Sequence, residues 1–239
     1  AVAALNPNVV VVANSGGEFA LAQWKDSVKA ILLPWYGGQE TGNALAALIS
    51  GRETPSGKLP FTWWGTLEKN PAQEFYAPCK PYPAEKRWKD FRYTFYAEGI
   101  FVGYRGVERF GVAPDYPFGF GLSYTSFEYS DLKIAESADG YDLSLKVKNT
   151  GKLKGAEAVQ VYVSELNPSV QRPAMELKGY DKVSLAPGKS AEVSIHLPHS
   201  AFEHYCTASH GWKADLGEYR ILVGASSADI RLESKVTLK

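Results

Sequence analysis

The sequence predicts an α/β segment whose sheet is incomplete, followed by an all-β sandwich. Two continuous β-branched runs near the start, Val9–Ala13 and Val28–Leu33, have the character of parallel strands covered on both faces. From Tyr141 onwards the pattern changes to strict period-2 alternation, the mark of half-buried antiparallel strands. Between the two regimes lies Tyr93–Phe127, rich in Phe and Tyr and broken by Gly99, Gly103, Gly106, Gly111, Gly119 and Gly121. A flexible linker is Gly/Ser-rich and polar, so this run reads as an ordered junction packed between two domains.

In chain order, Ala1–Leu5 is the last turn of a helix, ended by Asn6-Pro7-Asn8 because proline disfavours the α conformation in the residue before it. Val9–Ala13 is the first strand, Asn14–Gly17 a turn and Glu18–Trp24 a short helix. Val28–Leu33 is the second strand. Helical spacing over Gln39–Ile49 precedes Gly51, placed where a helix stop belongs. Lys58–Trp63, after the turn Pro55-Ser56-Gly57, is expected to be a third strand. Strand, helix, strand, helix, strand is a βαβ pattern. Three strands leave a parallel sheet short of neighbours, so polypeptide outside this sequence is expected to complete it, and the chain is read as a processed or fragmentary product.

In the last segment Tyr141, Leu143, Leu145 and Val147 face one way and Asp142, Ser144, Lys146 and Lys148 the other. Ala156–Val163, Glu192–Ile195 and Glu218–Val223 repeat the alternation between turns at Asn149–Gly151, Ala186–Lys189 and Asp215–Gly217. Short strands at this spacing predict a sandwich of about 110 residues. The expected domains are therefore 1–68, 69–126 for the junction, and 127–239.

In the 239-residue chain, 26 Lys and Arg balance 26 Asp and Glu, without a dense basic cluster. That excludes a nucleic-acid footprint or a polybasic membrane patch. No apolar run approaches the roughly 20 residues needed to span a bilayer. Cys79 and Cys206 match neither a metal spacing nor a disulfide framework. One bridge or two unrelated thiols both remain open, and with them the redox compartment.

Several groups invite chemistry. Ala13-x-Ser15-x-Gly17 follows a strand, the context of a nucleophile elbow, but its first position is not Gly, and every histidine lies between His196 and His210. A plain βα turn is the favoured reading. His196, His199, His204 and His210 cluster with Glu203 and Cys206, yet no recognised ligand spacing is present, so they read as a polar loop and strand edge without a metal. Gly37–Gly42 lacks the lysine and spacing of a phosphate loop, and Glu40 would repel an anion. Glycoside hydrolysis needs two carboxylates flanking the scissile bond. Glu18, Glu40, Asp90, Glu98 and Asp115 are formal candidates, each more readily a solvated or salt-bridged group.

Taken together, several runs resemble the C-terminal half of glycoside hydrolase family 3, the β-glucosidase family. Asn6-Pro7-Asn8 before the valines, Trp35–Ala46 (WYGGQETGNALA) and Pro55–Thr62 (PSGKLPFT) are similar to its α/β-sandwich domain. Tyr96–Arg105 resembles the exit from that domain, and Pro117–Phe127 the entry to a fibronectin type III-like domain. Val159–Val163, Arg172-Pro173, Glu176–Tyr180 and Leu185–Gly188 continue the likeness within it.

The resemblance implies a retaining, exo-acting β-glycosidase that removes a terminal β-linked glucose, without a cofactor, in a periplasmic or secreted setting. It implies a nucleophilic aspartate in an N-terminal (β/α)-barrel and an acid/base glutamate ahead of the Asn-Pro-Asn strand. Neither segment is in this sequence, so no catalytic residue is assigned, and Glu98 and Arg105 are read as interface groups. The implied partner is the barrel-containing N-terminal portion of the same enzyme. Loops after strands border ligands in open α/β sheets, which makes Ser15, Trp35 and Tyr36 the expected rim of the sugar site. The alternative is a stand-alone module that binds carbohydrate or a protein without catalysis.

Overall fold

The computed structural model describes residues 2–74 and 96–239, so Cys79, Asp90 and the start of the junction at Tyr93 lie outside the described residues. The chain forms two units. The first comprises Ala1–Ile49 and Thr62–Tyr116, the second Ser50–Phe61 and Pro117–Lys239.

In the first unit α1 (Val2–Leu5) ends before Asn6, whose side-chain oxygen accepts the Asn8 amide at 2.8 Å. Next come β1 (Val10–Val12) and β2 (Ala30–Leu32), which pair in parallel with Val11 opposite Ile31. Val10 is 51% exposed and Val12 37%, so the two-stranded sheet presents apolar side chains to its surroundings. α2 (Thr41–Ile49) follows a 3₁₀ turn at Gly38–Glu40 and stops at Gly51, whose φ of +73° gives the left-handed ending expected there.

Two expected elements are not formed. Glu18–Trp24 makes a single turn, with the Trp24 and Lys25 amides both bonded to the Leu21 carbonyl, and only Lys25–Ser27 is a 3₁₀ helix. Glu18 is tied instead to a distant segment: its Oε1 accepts the amides of Trp64 and Gly65 at 2.6 and 3.0 Å. Lys58–Trp63 is not a third parallel strand either. Pro60 removes a ladder donor, and the segment pairs elsewhere. The Leu59 amide reaches the Phe120 carbonyl at 2.8 Å, while Trp63 forms an antiparallel bridge with Tyr116. Around that bridge Leu21, Trp63, Trp64 and Phe101 are buried. Phe19 packs edge-on to Trp63 at 4.9 Å, and Trp63 Nε1 donates to the Phe19 carbonyl at 3.1 Å. A short α3 (Val107–Phe110) ends at Gly111, again left-handed.

The second unit is a two-layer sandwich. One layer contains β3 (Phe127–Ser137), β4 (Gly140–Asn149) and β7 (Ser190–Pro198) in the order β3-β4-β7. The other contains β5 (Gly155–Glu165), β6 (Glu176–Leu185), β10 (Gly217–Ser226) and β11 (Asp229–Leu238) in the order β11-β10-β5-β6. All pairings within these layers are antiparallel. The core is built from the alternating inward positions read in the sequence: Tyr141, Leu143, Leu145 and Val147 meet Val159, Val161, Ile221 and Val223. Phe202 is fully buried at the end of this core, edge-on to Tyr141 at 5.5 Å and to Tyr219 at 5.2 Å.

On β5 the alternation fails in an informative way. Gln160, Tyr162 and Ser164, which period-2 reasoning turns towards solvent, are all buried. Gln160 Nε2 donates to the carbonyls of Gly119 at 3.1 Å and Ala225 at 2.7 Å, and the Tyr162 hydroxyl donates to Gln160 Oε1 at 2.6 Å. The segment Pro117–Gly121 therefore covers the second face of the strand. Gly119, at φ +78°, sits so close that a Cβ would collide with the Gln160 amide. Lys58 also joins this side of the sandwich, bonding the Gly121 carbonyl at 3.2 Å and Glu157 at 3.3 Å.

Candidate functional site

Both βα loops of the first unit leave the sheet at the carboxyl ends of β1 and β2, where the Ala13 amide extends the pairing to the Leu32 carbonyl at 2.9 Å. Ser15 closes its own turn: Oγ donates to the Gly17 carbonyl at 2.8 Å and accepts the Gly17 amide at 3.3 Å. That hydroxyl is committed to a βα turn, and a nucleophile elbow is not formed. The two loops meet at Gly16, where a Cβ would lie 2.7 Å from the Tyr36 ring. A side chain at Gly16 would displace the Tyr36 ring from this contact; Tyr36 is otherwise exposed. The structure thus brings the Ser15 turn and Tyr36 together.

Trp35 is half-buried beside Tyr36 and adopts φ +54°. A bulky side chain in the left-handed region costs roughly 1–3 kcal/mol and persists only where its surroundings enforce it, a condition met most often at functional sites. The next residues stabilise that geometry. Thr41 Oγ1 donates to the Gly38 carbonyl at 2.8 Å, and Gly37 leaves no room for a Cβ against Thr41. Asn43 Nδ2 donates to Glu40 Oε2 at 2.7 Å, so Glu40 serves its own helix start. These bonds explain why a glycine pair, a threonine and a glutamate follow the aromatic pair.

Among the carboxylates, Glu18 and Asp115 come together around Gly65. Burial raises the Glu18 pKa, opposed by the Trp64 and Gly65 amides and reinforced by the Asp115 charge. Asp115 is buried and bonds Lys69 Nζ at 2.7 Å. Both groups hold the chain around the Trp63 bridge, Asp115 through Oδ1, while its Oδ2 is buried with no hydrogen-bond partner among the described residues. Glu98 has its Oε2 buried with no hydrogen-bond partner among the described residues. No described helix is long and apolar enough to cross a membrane.

The histidines spread apart. His196, exposed, lies between Asp142 at 2.7 Å and Asp139 at 3.4 Å, and the Asp142 hydrogen bond raises its pKa. His204 is buried on β8 (His204–Cys206), which pairs with β9 (Gly211–Lys213). Cys206 is a free thiol among the described residues, lowered in pKa by the Ser209 hydroxyl.

With loops and sandwich in place, the comparisons define the class: the chain is similar throughout to glycoside hydrolases. Residues 1–124 match the family described as Glycosyl hydrolase family 3 C-terminal domain, and residues 157–227 match the Fibronectin type III-like domain. The chain belongs to glycosyl hydrolase family 3. Thermostable beta-glucosidase B of Acetivibrio thermocellus is 43% identical over 99% of this chain, which spans 30% of that protein. An exo-alpha-(1->6)-L-arabinopyranosidase of Bifidobacterium breve is 40% identical over 100% of the chain, again 30% of that protein. The crystal structure of a beta-glucosidase from Kluyveromyces marxianus in complex with glucose superposes with a TM-score of 0.90 at 37% identity, covering 100% of this chain and 28% of that one. The chain thus spans less than a third of the length of these relatives.

Proposed function

We propose that this chain is the C-terminal portion of a retaining exo-β-glycosidase of the β-glucosidase type, which hydrolyses terminal non-reducing β-D-glucosyl residues. The barrel-containing N-terminal portion of the same enzyme supplies nucleophile and acid/base, whether continuous with this chain or cleaved from it. The observation that carries this reading is similarity to a beta-glucosidase over 99% of the chain combined with coverage of only 30% of that relative. The exposed valines of β1 support it, since a parallel sheet is stable only with both faces covered. They also weigh against a stand-alone binding module.

Ser15, Trp35 and Tyr36 border the sugar in this reading. The strained Trp35 backbone and the Gly16–Tyr36 contact preorganise an aromatic edge, suited to stacking against a pyranose. Relatives named for a beta-glucosidase and for an arabinopyranosidase match this portion at 43% and 40% identity, so overall similarity here does not separate the two sugars.

Two assays test the reading. The chain alone should show no turnover of an aryl β-glucoside, while the complete enzyme turns it over. Hydrolysis by the chain alone would place the catalytic pair in this portion. In the complete enzyme Trp35→Ala should raise KM or lower kcat by about tenfold or more, the loss of one aromatic–sugar contact worth roughly 1–2 kcal/mol. Unchanged kcat and KM would remove Trp35 from the rim.

A further inference from the structure

The sandwich brings together three groups that lie far apart in sequence: Glu165 at the end of β5, His204 on β8, and Asp215 just before β10. One ligand atom from each lies within 4.8 Å of the others. His204 is 8% exposed, and both its ring nitrogens are buried without a hydrogen-bond partner among the described residues. A neutral imidazole carries one N–H and one lone pair. Leaving such a group unmet in the interior costs about 1–3 kcal/mol, and native structures seldom do so. Carboxylate oxygens of Glu165 and Asp215 lie within 4.8 Å of an imidazole nitrogen, and a cation satisfies all three at once.

Ion pairs and a backbone amide hold the two carboxylates in place. Glu165 Oε2 accepts Arg172 Nη1 at 2.7 Å, and Arg172 Nη2 bonds Glu176 at 3.0 Å. Asp215 Oδ1 pairs with Lys213 at 3.1 Å, and its Oδ2 accepts the Ser169 amide at 3.1 Å. Lys178 Nζ also lies 3.7 Å from Glu176, so the three carboxylates face three basic groups and the surroundings are formally neutral. Each carboxylate has about four lone-pair sites, so the existing bonds leave room for a metal. Arg172 also donates to the carbonyls of Phe202 and Glu203, which fixes the start of β8 and the position of His204.

We propose that Glu165, His204 and Asp215 form a zinc site, with the fourth position taken by water. One imidazole and two carboxylates suit zinc, whereas calcium and magnesium select oxygen ligands throughout. An ion among atoms so spaced lies close enough that small side-chain rotations reach the roughly 2.0–2.2 Å of zinc–nitrogen and zinc–oxygen bonds. The ion ties the β8–β9 hairpin and the turn before β10 to the end of β5. This proposal does not depend on the glycosidase reading.

The test is calorimetric titration of Zn²⁺ into the chelator-treated full chain. One equivalent should bind saturably. His204→Gln should weaken binding by at least about tenfold, while His199→Gln, at an exposed histidine outside the cluster, should not. No saturable binding, or binding unchanged in His204→Gln, overturns the site. If His204→Gln does not fold, X-ray absorption of the zinc-loaded wild-type chain decides. One imidazole with carboxylate oxygens supports the assignment; two or more imidazoles, or none, overturn it.

Discussion

Replacing Gln160 by leucine should loosen the sandwich more than most single substitutions. The amide meets three buried groups: the carbonyls of Gly119 and Ala225 and the hydroxyl of Tyr162. Leucine preserves much of the volume and removes the bond each of the three makes to the amide. At about 1–3 kcal/mol per buried group that loses its bond the gross loss is roughly 3–9 kcal/mol. Burying the leucine returns about 1.5–3 kcal/mol, so a net loss of about 3–4 kcal/mol is expected. Tyr162→Phe removes one of the three bonds and should cost only about 1 kcal/mol. The assay is native-state hydrogen exchange of the β5 and β10 amides in the whole chain, which reads this unit separately from the α/β unit. Protection should fall by about a hundredfold to a thousandfold in Gln160→Leu, at 1.4 kcal/mol per decade. The reasoning fails if Gln160→Leu loses less than about fivefold, or if Tyr162→Phe loses as much.

Two further outcomes follow from the same core. Phe202→Ala removes a fully buried ring with two edge-on aromatic neighbours and should cost about 3–5 kcal/mol, visible as a lowered denaturant midpoint for the sandwich. Tyr219 is pushed from 10.0 up to about 12, chiefly by burial, so its ionisation disfavours the fold. A raised folded-state pKa gives stability that is complete below pH 10.0 and lost as pH climbs towards about 12. Ultraviolet difference spectra of the wild type and Tyr219→Phe should therefore differ by one late-titrating phenol, and an early phenol at Tyr219 would contradict its burial.

The sequence carried the sandwich well because period-2 alternation in β4 maps directly onto one buried and one wet face. It misled on β5 because alternation reports only one covered face. Nothing in Gln160-x-Tyr162 itself says that Pro117–Gly121 will lie over it. The segment around Pro60 is harder to read because β-like composition does not reveal a partner, and its partners are far along the chain, Tyr116 for Trp63 and Phe120 for Leu59. Glu18 looked like a helix start because its tie to Trp64 and Gly65 is a long-range bond. The aromatic pair at Trp35 and Tyr36 was visible as a motif, but the left-handed backbone of Trp35 was not. The histidine cluster was judged by linear spacing, which finds neighbours such as His199 and Cys206. It misses Glu165 and Asp215, brought to His204 by the strand ends.

The sandwich unit includes Ser50–Phe61, a stretch that precedes 55 residues of the other unit in the chain, Thr62–Tyr116. A boundary drawn at a single point in the sequence therefore cuts one of the two. Transplanting the sandwich into a related enzyme from Phe127 onwards would leave behind both Lys58, the partner of Glu157, and Gly119, the cover of Gln160. A chimera that respects the fold must exchange two stretches at once. During synthesis, Ser50–Phe61 leaves the ribosome well before the strands it joins, so the sandwich closes only after the intervening chain has been made.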